Sequence, residues 1–219
     1  MGVIEQSLSY LQPWEFSPTW ALFCLVSAGL YIRGLVRCRH SGQRAGFWRP
    51  FSFLLGIAAI YTVSQTHFDY LAQYMFFVHR GQHLVLHHVA PFLIALSAPL
   101  PLLISGTPDR VKNFSGITMV AQALRPGYRL LQQPVIAALL FVGLIYFWLT
   151  PQVHFDAMLS QYLYQLMNWS MLLDGLLFWW LILASRPPAQ GGLSYGFRIT
   201  LLLAVVPPQM LLGAYLTFS

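Results

Sequence analysis

Charged residues are scarce in this sequence. They make up 8% of its 219 residues, and six of them are acidic. A soluble domain carries about a quarter charged residues, so this composition argues against a soluble globular protein. Hydrophobic residues make up 57% of the chain, and the mean hydropathy is +0.60. Long apolar runs with so little charge predict a polytopic membrane protein.

Cysteine is scarce as well, since Cys24 and Cys38 are the two examples. On one helix they would lie about 21 Å apart at ~1.5 Å per residue, which is too far for a disulfide. The sequence has no CxxC or other cysteine spacing typical of a metal site. The start of the chain lacks the basic segment of a signal peptide and contains Glu5 and Glu15. We therefore expect the first apolar segment to be a retained helix.

The apolar segments predict an all-α, polytopic membrane helix bundle that forms a single integral membrane domain over 1–219. About six transmembrane helices are expected, each with about the 17–25 residues that cross the hydrocarbon core, or a few more. The predicted spans lie near 18–36, 51–66, 80–104, 134–150, 158–185 and 196–217. The segment 70–79 is expected to extend the third helix above the membrane. A short interfacial helix is expected near 113–124.

The basic residues predict how these helices are oriented. In the six-span arrangement, eleven of the twelve lysines and arginines fall on one side, and the twelfth, Arg80, lies near the outer end of the third span. The positive-inside rule makes the basic side cytoplasmic, so both termini are expected in the periplasm of a bacterial inner membrane. The net charge of +6 then indicates topology and anionic lipid rather than nucleic acid. The eleven residues are Arg33, Arg37, Arg39, Arg44, Arg49, Arg110, Lys112, Arg125, Arg129, Arg186 and Arg198.

Four histidines and an arginine interrupt the apolar run "MFFVHRGQHLVLHHVAP", Met75 to Pro91. On an α-helix, residues i and i+4 have Cβ atoms about 5–6 Å apart, so His79 and His83 can bind one metal ion. His87 would continue this row one turn deeper, and Met75 would lie one turn above it. Burying such groups in lipid is unfavourable unless they are paired, face a cavity or bind something. The pattern favours a metal site over hydrogen bonding between helices, with a proton relay as an alternative.

A weak internal repeat connects this segment with a later one. Both copies begin with His-Phe-Asp and continue to Gln-Tyr, although the two matches differ by one residue in register, and chance similarity is an alternative. The repeat places Met167 opposite His79 and Met171 opposite His83. Two imidazoles and two thioethers favour Cu(I) over Zn(II), Fe(II) or Mg(II). The two copies cover 67–104 and 154–185.

Asp174 is the one acid inside a predicted span, and it follows Met171 by three residues. It could orient a ligand histidine or pair with Arg80. A hydrogen bond to another helix is the structural alternative for this carboxylate.

The two His-Phe-Asp triplets are expected in outer loops. Their histidines, His67 and His154, are candidates for guiding a cation inward. Their acids, Asp69 and Asp156, suit helix N-termini, and capping is the favoured interpretation for both.

Three enzyme classes can be compared with the motif "HRGQH". A metalloprotease HExxH motif needs glutamate directly after the first histidine, where this chain has Arg80. A membrane di-iron enzyme uses several separated histidine boxes, whereas "HRGQH" and "HLVLHH" overlap at His83 and the sequence has no third box. A b-type cytochrome needs axial histidines from two helices, and the fifth predicted helix has none, although Met171 could substitute. We therefore expect no enzyme, and a di-iron or heme redox protein is an alternative.

Several longer segments occur in a characteristic order. They are "HRGQHLVLHHVAPFLIALSAPLPLL", with "VAPFLIALSAP" from Val89 to Pro99, then "LLDGLLFWWLIL" from Leu172 to Leu183, and finally "LSYGFRITLLLAVVPPQMLLGAYLTFS". In this order and spacing, the chain from about residue 65 onward resembles the CtaG-like cytochrome c oxidase assembly factors. His79 and His83 match the H-x-x-x-H motif of that family.

The resemblance implies a copper-binding factor that delivers copper to, or supports its insertion into, respiratory heme–copper oxidases. Relatives have histidine near the positions of Met167 and Met171, and longer members have a seventh span, so this chain departs from the family at both points. We expect copper as Cu(I). The predicted ligands are His79, His83, Met167 and Met171. The predicted secondary ligands or supporting residues are His87, Met75 and Asp174.

The expected partners are cytochrome c oxidase subunits or a periplasmic copper carrier, reached by ligand exchange, together with the lipid bilayer. A homo-oligomer is an open alternative. A copper transporter with the same ligands is also an alternative, and it would need a continuous polar path to the cytoplasm. The apolar run from Val89 to Ile104 favours a dead-end site instead.

Overall fold

The computed structural model describes residues 15–40, 46–113, 115–183 and 192–218. Of these residues, 89% are helical and none forms a strand, which confirms the expected all-α class. The chain divides into two compact units, Met1–Met119 and Val120–Ser219. The single integral membrane domain stays a prediction.

The helices alternate between long apolar segments and short connecting ones. The first unit contains α1 (Pro18–His40), α2 (Trp48–Gln65), α3 (His67–Tyr74), α4 (Phe76–Leu84), a π-helical turn (Val85–Val89), α5 (Ala90–Leu96), α6 (Leu100–Gly106) and α7 (Asp109–Lys112). Helix α8 (Ser115–Leu131) runs across the division between the units. The second unit continues with α9 (Pro134–Leu149), α10 (Pro151–Leu159), α11 (Gln161–Leu183) and α12 (Tyr195–Phe218).

In the first unit, α1 packs against α2 and α6, and α2 packs against α5. The α1–α6 contact is close because Gly34 and Gly106 lie against the carbonyl oxygens of Leu102 and Leu30, where a Cβ atom would overlap them. Between α1 and α2, the ring of Tyr31 stacks on a phenylalanine of α2. This unit therefore has a tightly packed pair of helices beside the histidine-bearing segment.

The turn between α5 and α6 bends the chain by 77°. Ala98 has φ 48°, in the left-handed region that is unfavourable for a residue with a Cβ atom, and Pro99 follows it. Arg37 donates a 2.6 Å hydrogen bond to the Ser105 carbonyl oxygen in the last turn of α6. A cation at a helix C-terminus is favourable because it satisfies a free carbonyl and opposes the helix dipole.

The second unit is held together by stacked aromatic rings and buried aliphatic side chains. Phe141 of α9 stacks on Phe178 of α11 with ring centroids 3.9 Å apart. Leu201 and Val205 of α12 are buried in the same cluster. Arg198 donates to the carbonyl oxygen of Ile182 in the last turn of α11 over 3.1 Å, which caps that helix in the way Arg37 caps α6.

Several of the described helices could cross a membrane. Three are long and apolar enough individually: Pro18–His40, Gln161–Leu183 and Tyr195–Tyr215. Two bent helix pairs raise the number to as many as five if each pair crosses as one span. The pairs are Phe76–Leu96 with Leu100–Gly106, and Met119–Leu131 with Pro134–Leu149. By length and composition, the described helices therefore provide three to five candidate membrane spans, against about six expected.

The difference from six spans comes largely from α2. This helix covers the expected span 51–66, but it begins beside Arg49 and ends in the polar residues Ser64 and Gln65. The side chain of Gln65 accepts a hydrogen bond from the Ser17 amide and donates one to the Ser17 carbonyl oxygen. Polar groups at the ends of an 18-residue helix lower its average hydropathy below that of a spanning segment.

Candidate metal centre

The histidine motif lies on α4, which begins after a break at Met75. This residue is extended, with φ −120° and ψ 110°, so α3 and α4 are separate helices instead of the single extension expected over 70–79. The physical reason is tertiary, because α3 packs against α4 once the chain has turned. Met75 is 41% exposed and lies outside the helical row that begins at His79. Its role as a ligand stays a prediction.

His79 and His83 lie together on one face of α4, as the i, i+4 spacing predicted. Their ring centroids are 4.3 Å apart with an interplanar angle of 52°. The two residues are 1% and 4% exposed. Bonds from imidazole nitrogen to a metal ion are about 2.0–2.1 Å, so two nitrogens on one ion lie within about 4 Å of each other. The spacing of the rings is compatible with a shared ion.

His87 does not continue the row of His79 and His83 along a regular α-helix. Val85–Val89 forms a π-helical turn in which the amide of Ala90 donates to the Val85 carbonyl oxygen. Pro91 offers a reason, because it has no N–H and its ring crowds the carbonyl four residues earlier. His87 is completely buried, and its ring centroid lies 4.8 Å from that of His88. The extra residue in this turn therefore changes the direction of His87 relative to His83.

Gln82 is a residue of this segment that the sequence reasoning missed. Its side chain is fully buried and donates from Nε2 to the Val63 carbonyl oxygen and to Asp69 Oδ1, over 2.7 Å in each case. It thus connects α4 with α2 and α3, directly beside His83. The signal available in the sequence was a glutamine between two histidines on a membrane helix, since buried amides need partners.

Neither Asp69 nor Asp156 is the N-cap residue expected, although Asp69 does lie at a helix N-terminus, as its negative charge suits. Helix α3 is capped by Thr66, whose Oγ1 accepts from the amide of Phe68 over 3.3 Å. Asp69 lies in the first turn and accepts from side-chain amides. Asp156 lies in the interior of α10, because that helix already begins at Pro151. Its carboxylate accepts from Gln152 over 3.2 Å.

The two histidines proposed as entry groups lie at different helix positions. His67 is the first residue of α3, is partly buried, and has its ring centroid 5.0 Å from that of Tyr70. His154 lies in the first turn of α10 and is partly buried as well. Their role in guiding a cation stays a prediction.

Arg80 lies between the two motif histidines and faces an aromatic ring. Its guanidinium carbon is 4.7 Å from the centroid of Phe76, one turn earlier on α4. This cation–π contact partly compensates the cost of holding a cation beside apolar side chains. In the second unit, Asp174 is partly buried on α11. The pairing of Asp174 with Arg80, or with a ligand histidine, stays a prediction.

Met167 and Met171 lie on α11 in the second unit, spaced i and i+4. They are 0% and 1% exposed and pack in a cluster with Trp148, Ala157 and Tyr164. The two thioethers therefore share one face of the helix. The packing alone would justify two methionines here, since methionine fills irregular apolar space well. That these thioethers share an ion with the histidine pair stays a prediction.

The internal repeat has a structural counterpart in a different register. Ser160 breaks the chain between α10 and α11 with φ −118° and ψ 115°, nearly the conformation of Met75 between α3 and α4. Matching these two breaks places Tyr164 opposite His79 and Asn168 opposite His83. The sequence alignment of the repeat instead places Met167 opposite His79 and Met171 opposite His83. Asn168 is 1% exposed, and its Oδ1 has no hydrogen-bond partner among the described residues.

The first unit supplies a pair of imidazoles rather than a complete metal cage. Among the described residues, no group of three or more His, Cys, Asp or Glu side chains could hold a metal ion. Thioethers are outside that set of residue types. An ion bound to His79 and His83 therefore needs further ligands, such as thioethers or groups of a partner protein.

Comparison with known proteins identifies a family whose model matches most of the chain. No curated protein sequence and no solved structure matches the chain. The cytochrome c oxidase caa3 assembly factor family, Caa3_CtaG, matches residues 29–219. This match covers α2 to α12 and most of α1, and it includes both the histidine pair and the methionine pair. On the strength of it, the chain belongs to the cytochrome c oxidase caa3 assembly factor family.

Proposed function

We propose that this protein binds Cu(I) during assembly of cytochrome c oxidase and passes it to the oxidase or to a periplasmic copper carrier. The observation that carries the proposal is the buried pair of imidazoles, His79 and His83, whose ring centroids are 4.3 Å apart. Family membership supplies the oxidase as the client. The role is that of a non-catalytic assembly factor.

The proposed ligand set is His79 and His83 with Met167 and Met171. Neutral imidazole and thioether ligands favour Cu(I), a soft ion. These ligands are neutral, so the departure of the ion leaves no unpaired negative charge in the protein interior. Exchange of the ion with an acceptor therefore does not carry that cost. His87, Met75 and Asp174 are proposed as secondary ligands or orienting groups. His67 and His154 are proposed to guide the ion inward.

The proposed setting is a bacterial inner membrane crossed by about six helices, with both termini in the periplasm. The clustering of basic residues supports this orientation under the positive-inside rule. In this proposed orientation, the amino-terminal end of α4 and the histidine pair lie near the periplasmic face. That location suits transfer to a periplasmic domain of an oxidase subunit.

The copper content of purified protein tests the ligand proposal. Detergent-purified wild type, loaded with Cu(I) and desalted, should retain copper, and the variant His79→Ala/His83→Ala should lose it. His88→Ala is the control within the same segment, because His88 is partly buried there and is not part of the proposed ligand set. Copper that persists in the double variant, with circular dichroism unchanged, would contradict the ligand assignment.

Oxidase assembly in cells tests the client. A deletion strain complemented with His79→Ala/His83→Ala should accumulate oxidase that contains heme but lacks copper. Complementation with His88→Ala should restore the copper content. If the deletion lowers total cellular copper while oxidase copper recovers in copper-rich medium, the transporter alternative gains support. A Soret band in the purified protein would instead indicate a heme protein.

A further inference from the structure

Helix α8 has two chemically different sides. Val120, Leu124 and Tyr128 are spaced by four residues and therefore share one face of the helix. Gln122, Arg125 and Arg129 lie on another face, about 130° away at ~100° per residue. The helix contains two arginines and no acidic residue. This is the pattern of a basic amphipathic helix.

The apolar face of α8 is uncovered in the described chain. Val120, Leu124 and Tyr128 are 59%, 65% and 46% exposed. Three large apolar side chains in one row on a helix surface favour burial against another apolar medium. Both charged side chains of the same helix are positive, so the surface beside that apolar medium is expected to be negatively charged.

The direction of α8 supplies a second, independent observation. The segment Met119–Leu131 lies at 82° to Pro134–Leu149. The latter segment, α9, is uncharged over its whole length and has the apolar composition of a membrane span. If α9 crosses the bilayer along the normal, α8 runs nearly parallel to the membrane surface. An amphipathic helix in that direction can place one side in lipid and the other in water.

Pro126 agrees with this arrangement. A proline inside a helix has no amide hydrogen, so the carbonyl oxygen of Gln122 loses its usual intrahelical partner. In the hydrocarbon core such a carbonyl is costly. Because Gln122 lies on the same side as Arg125 and Arg129, its carbonyl would face water and headgroups, where it can be solvated.

We propose that α8 lies in the interface of an anionic phospholipid leaflet, as a membrane-surface helix and not as part of a span. Val120, Leu124 and Tyr128 enter the boundary between headgroups and acyl chains, about 5–10 Å deep. Arg125 and Arg129 contact lipid phosphates, which attract juxtamembrane basic residues. In the proposed topology this leaflet is cytoplasmic. The inference does not depend on copper binding.

Spin labels on the full-length protein test the proposal. Cysteines are introduced as Leu124→Cys or Gln122→Cys in a Cys24→Ala/Cys38→Ser background, and the protein is reconstituted in vesicles of phosphatidylcholine with phosphatidylglycerol. The label at position 124 should collide severalfold more often with oxygen than with a water-soluble nickel chelate. The label at position 122 should show the reverse preference. Val135 is 64% exposed in the first turn of α9, so Val135→Cys provides a comparison on the adjacent candidate span.

Removal of the positive charges tests the lipid chemistry. In Arg125→Gln/Arg129→Gln, the oxygen preference of the label at position 124 should fall severalfold. The labelled Leu124→Cys protein that keeps both arginines should lose the same preference in vesicles of phosphatidylcholine alone. A label at position 124 that reaches the nickel chelate freely, or one that lies near the centre of the hydrocarbon core, would overturn the proposal. A label shielded from both collision partners would also overturn it, by indicating that protein covers this face.

Hydrogen exchange of the unmodified protein provides a measurement that does not depend on cysteine variants. Deuterium uptake over 119–131 should be severalfold slower in anionic nanodiscs than in neutral ones, while uptake over 134–149 stays the same. Equal uptake over 119–131 in both lipids would contradict a specific attraction to anionic headgroups.

Discussion

The side-chain amide of Gln82 lies 2.7 Å from the carboxylate of Asp69 and connects two helices that meet at a break in the chain. The same nitrogen donates to the Val63 carbonyl oxygen. Gln82→Leu should lower the free energy of unfolding by about 1–3 kcal/mol, because one buried and one partly buried acceptor lose their donor. Thermal unfolding in detergent, followed by circular dichroism, measures this loss.

Asp69→Asn is the matched control for that prediction. An asparagine oxygen can still accept from Gln82, so this variant should lose less stability than Gln82→Leu. Equal loss in both variants would show that the charge of Asp69, and not the hydrogen bond, stabilises this junction.

The close approach of α1 and α6 predicts strong sensitivity to a single methyl group. Gly34→Ala would place a Cβ atom on the Leu102 carbonyl oxygen, and Gly106→Ala would do the same at Leu30. Each should cost about 1–3 kcal/mol, because backbone cannot move aside as a flexible side chain does. Thermal unfolding measures both.

Gly29 provides the control on the same helix. A Cβ atom there meets nothing within 4 Å, so Gly29→Ala should be neutral or stabilising by about 0.5–1 kcal/mol. Destabilisation by Gly29→Ala of the size predicted at Gly34 would argue that helix packing is not the cause.

Tyr31 predicts a substitution that is tolerated. Its side chain is completely buried, its ring stacks on Phe53 with centroids 3.9 Å apart, and its hydroxyl has no hydrogen-bond partner among the described residues. Tyr31→Phe should therefore leave stability unchanged or raise it by up to about 1 kcal/mol. Tyr31→Leu should lower it, because the stacked pair is lost. A marked loss in Tyr31→Phe would reveal a bonded hydroxyl.

The methionine pair can be separated into its packing and its ligand role. Met167→Leu/Met171→Leu keeps the side-chain volume, so the free energy of unfolding should change by less than about 1.5 kcal/mol. Copper retention should fall, because leucine has no donor atom. Met210→Leu, at a 69% exposed position of α12, is the control. Full copper retention in the double variant would assign both methionines to packing alone.

Local patterns predicted the helical class and the proximity of His79 and His83, because both depend on regular spacing along a helix. The family resemblance is confirmed over residues 29–219. The breaks at Met75 and Ser160 could not be predicted in this way. Methionine is a strong helix former, so its extended conformation is imposed by packing between α3 and α4.

Contacts distant in sequence were also beyond prediction. Nothing near Gln82 in the sequence identifies Val63, 19 residues earlier, as its acceptor. Asp156 was misassigned because the start of α10 depends on Pro151 and not on the His-Phe-Asp triplet. Of the roughly six expected spans, the described helices provide three to five candidates, because polar helix ends and sharp bends shorten the apolar segments, as in α2 and at Ala98.

The π-helical turn Val85–Val89 changes the angular phase of everything that follows it. One additional residue in a helical turn rotates the downstream helix by about 100° relative to an uninterrupted α-helix. Downstream, Ala90 and Ile94 lie directly against Gly56 of α2. The turn thus allows α4 to orient His79 and His83 while α5 packs against α2 with a different rotation about the helix axis. A continuous α-helix would have to satisfy both with one rotation.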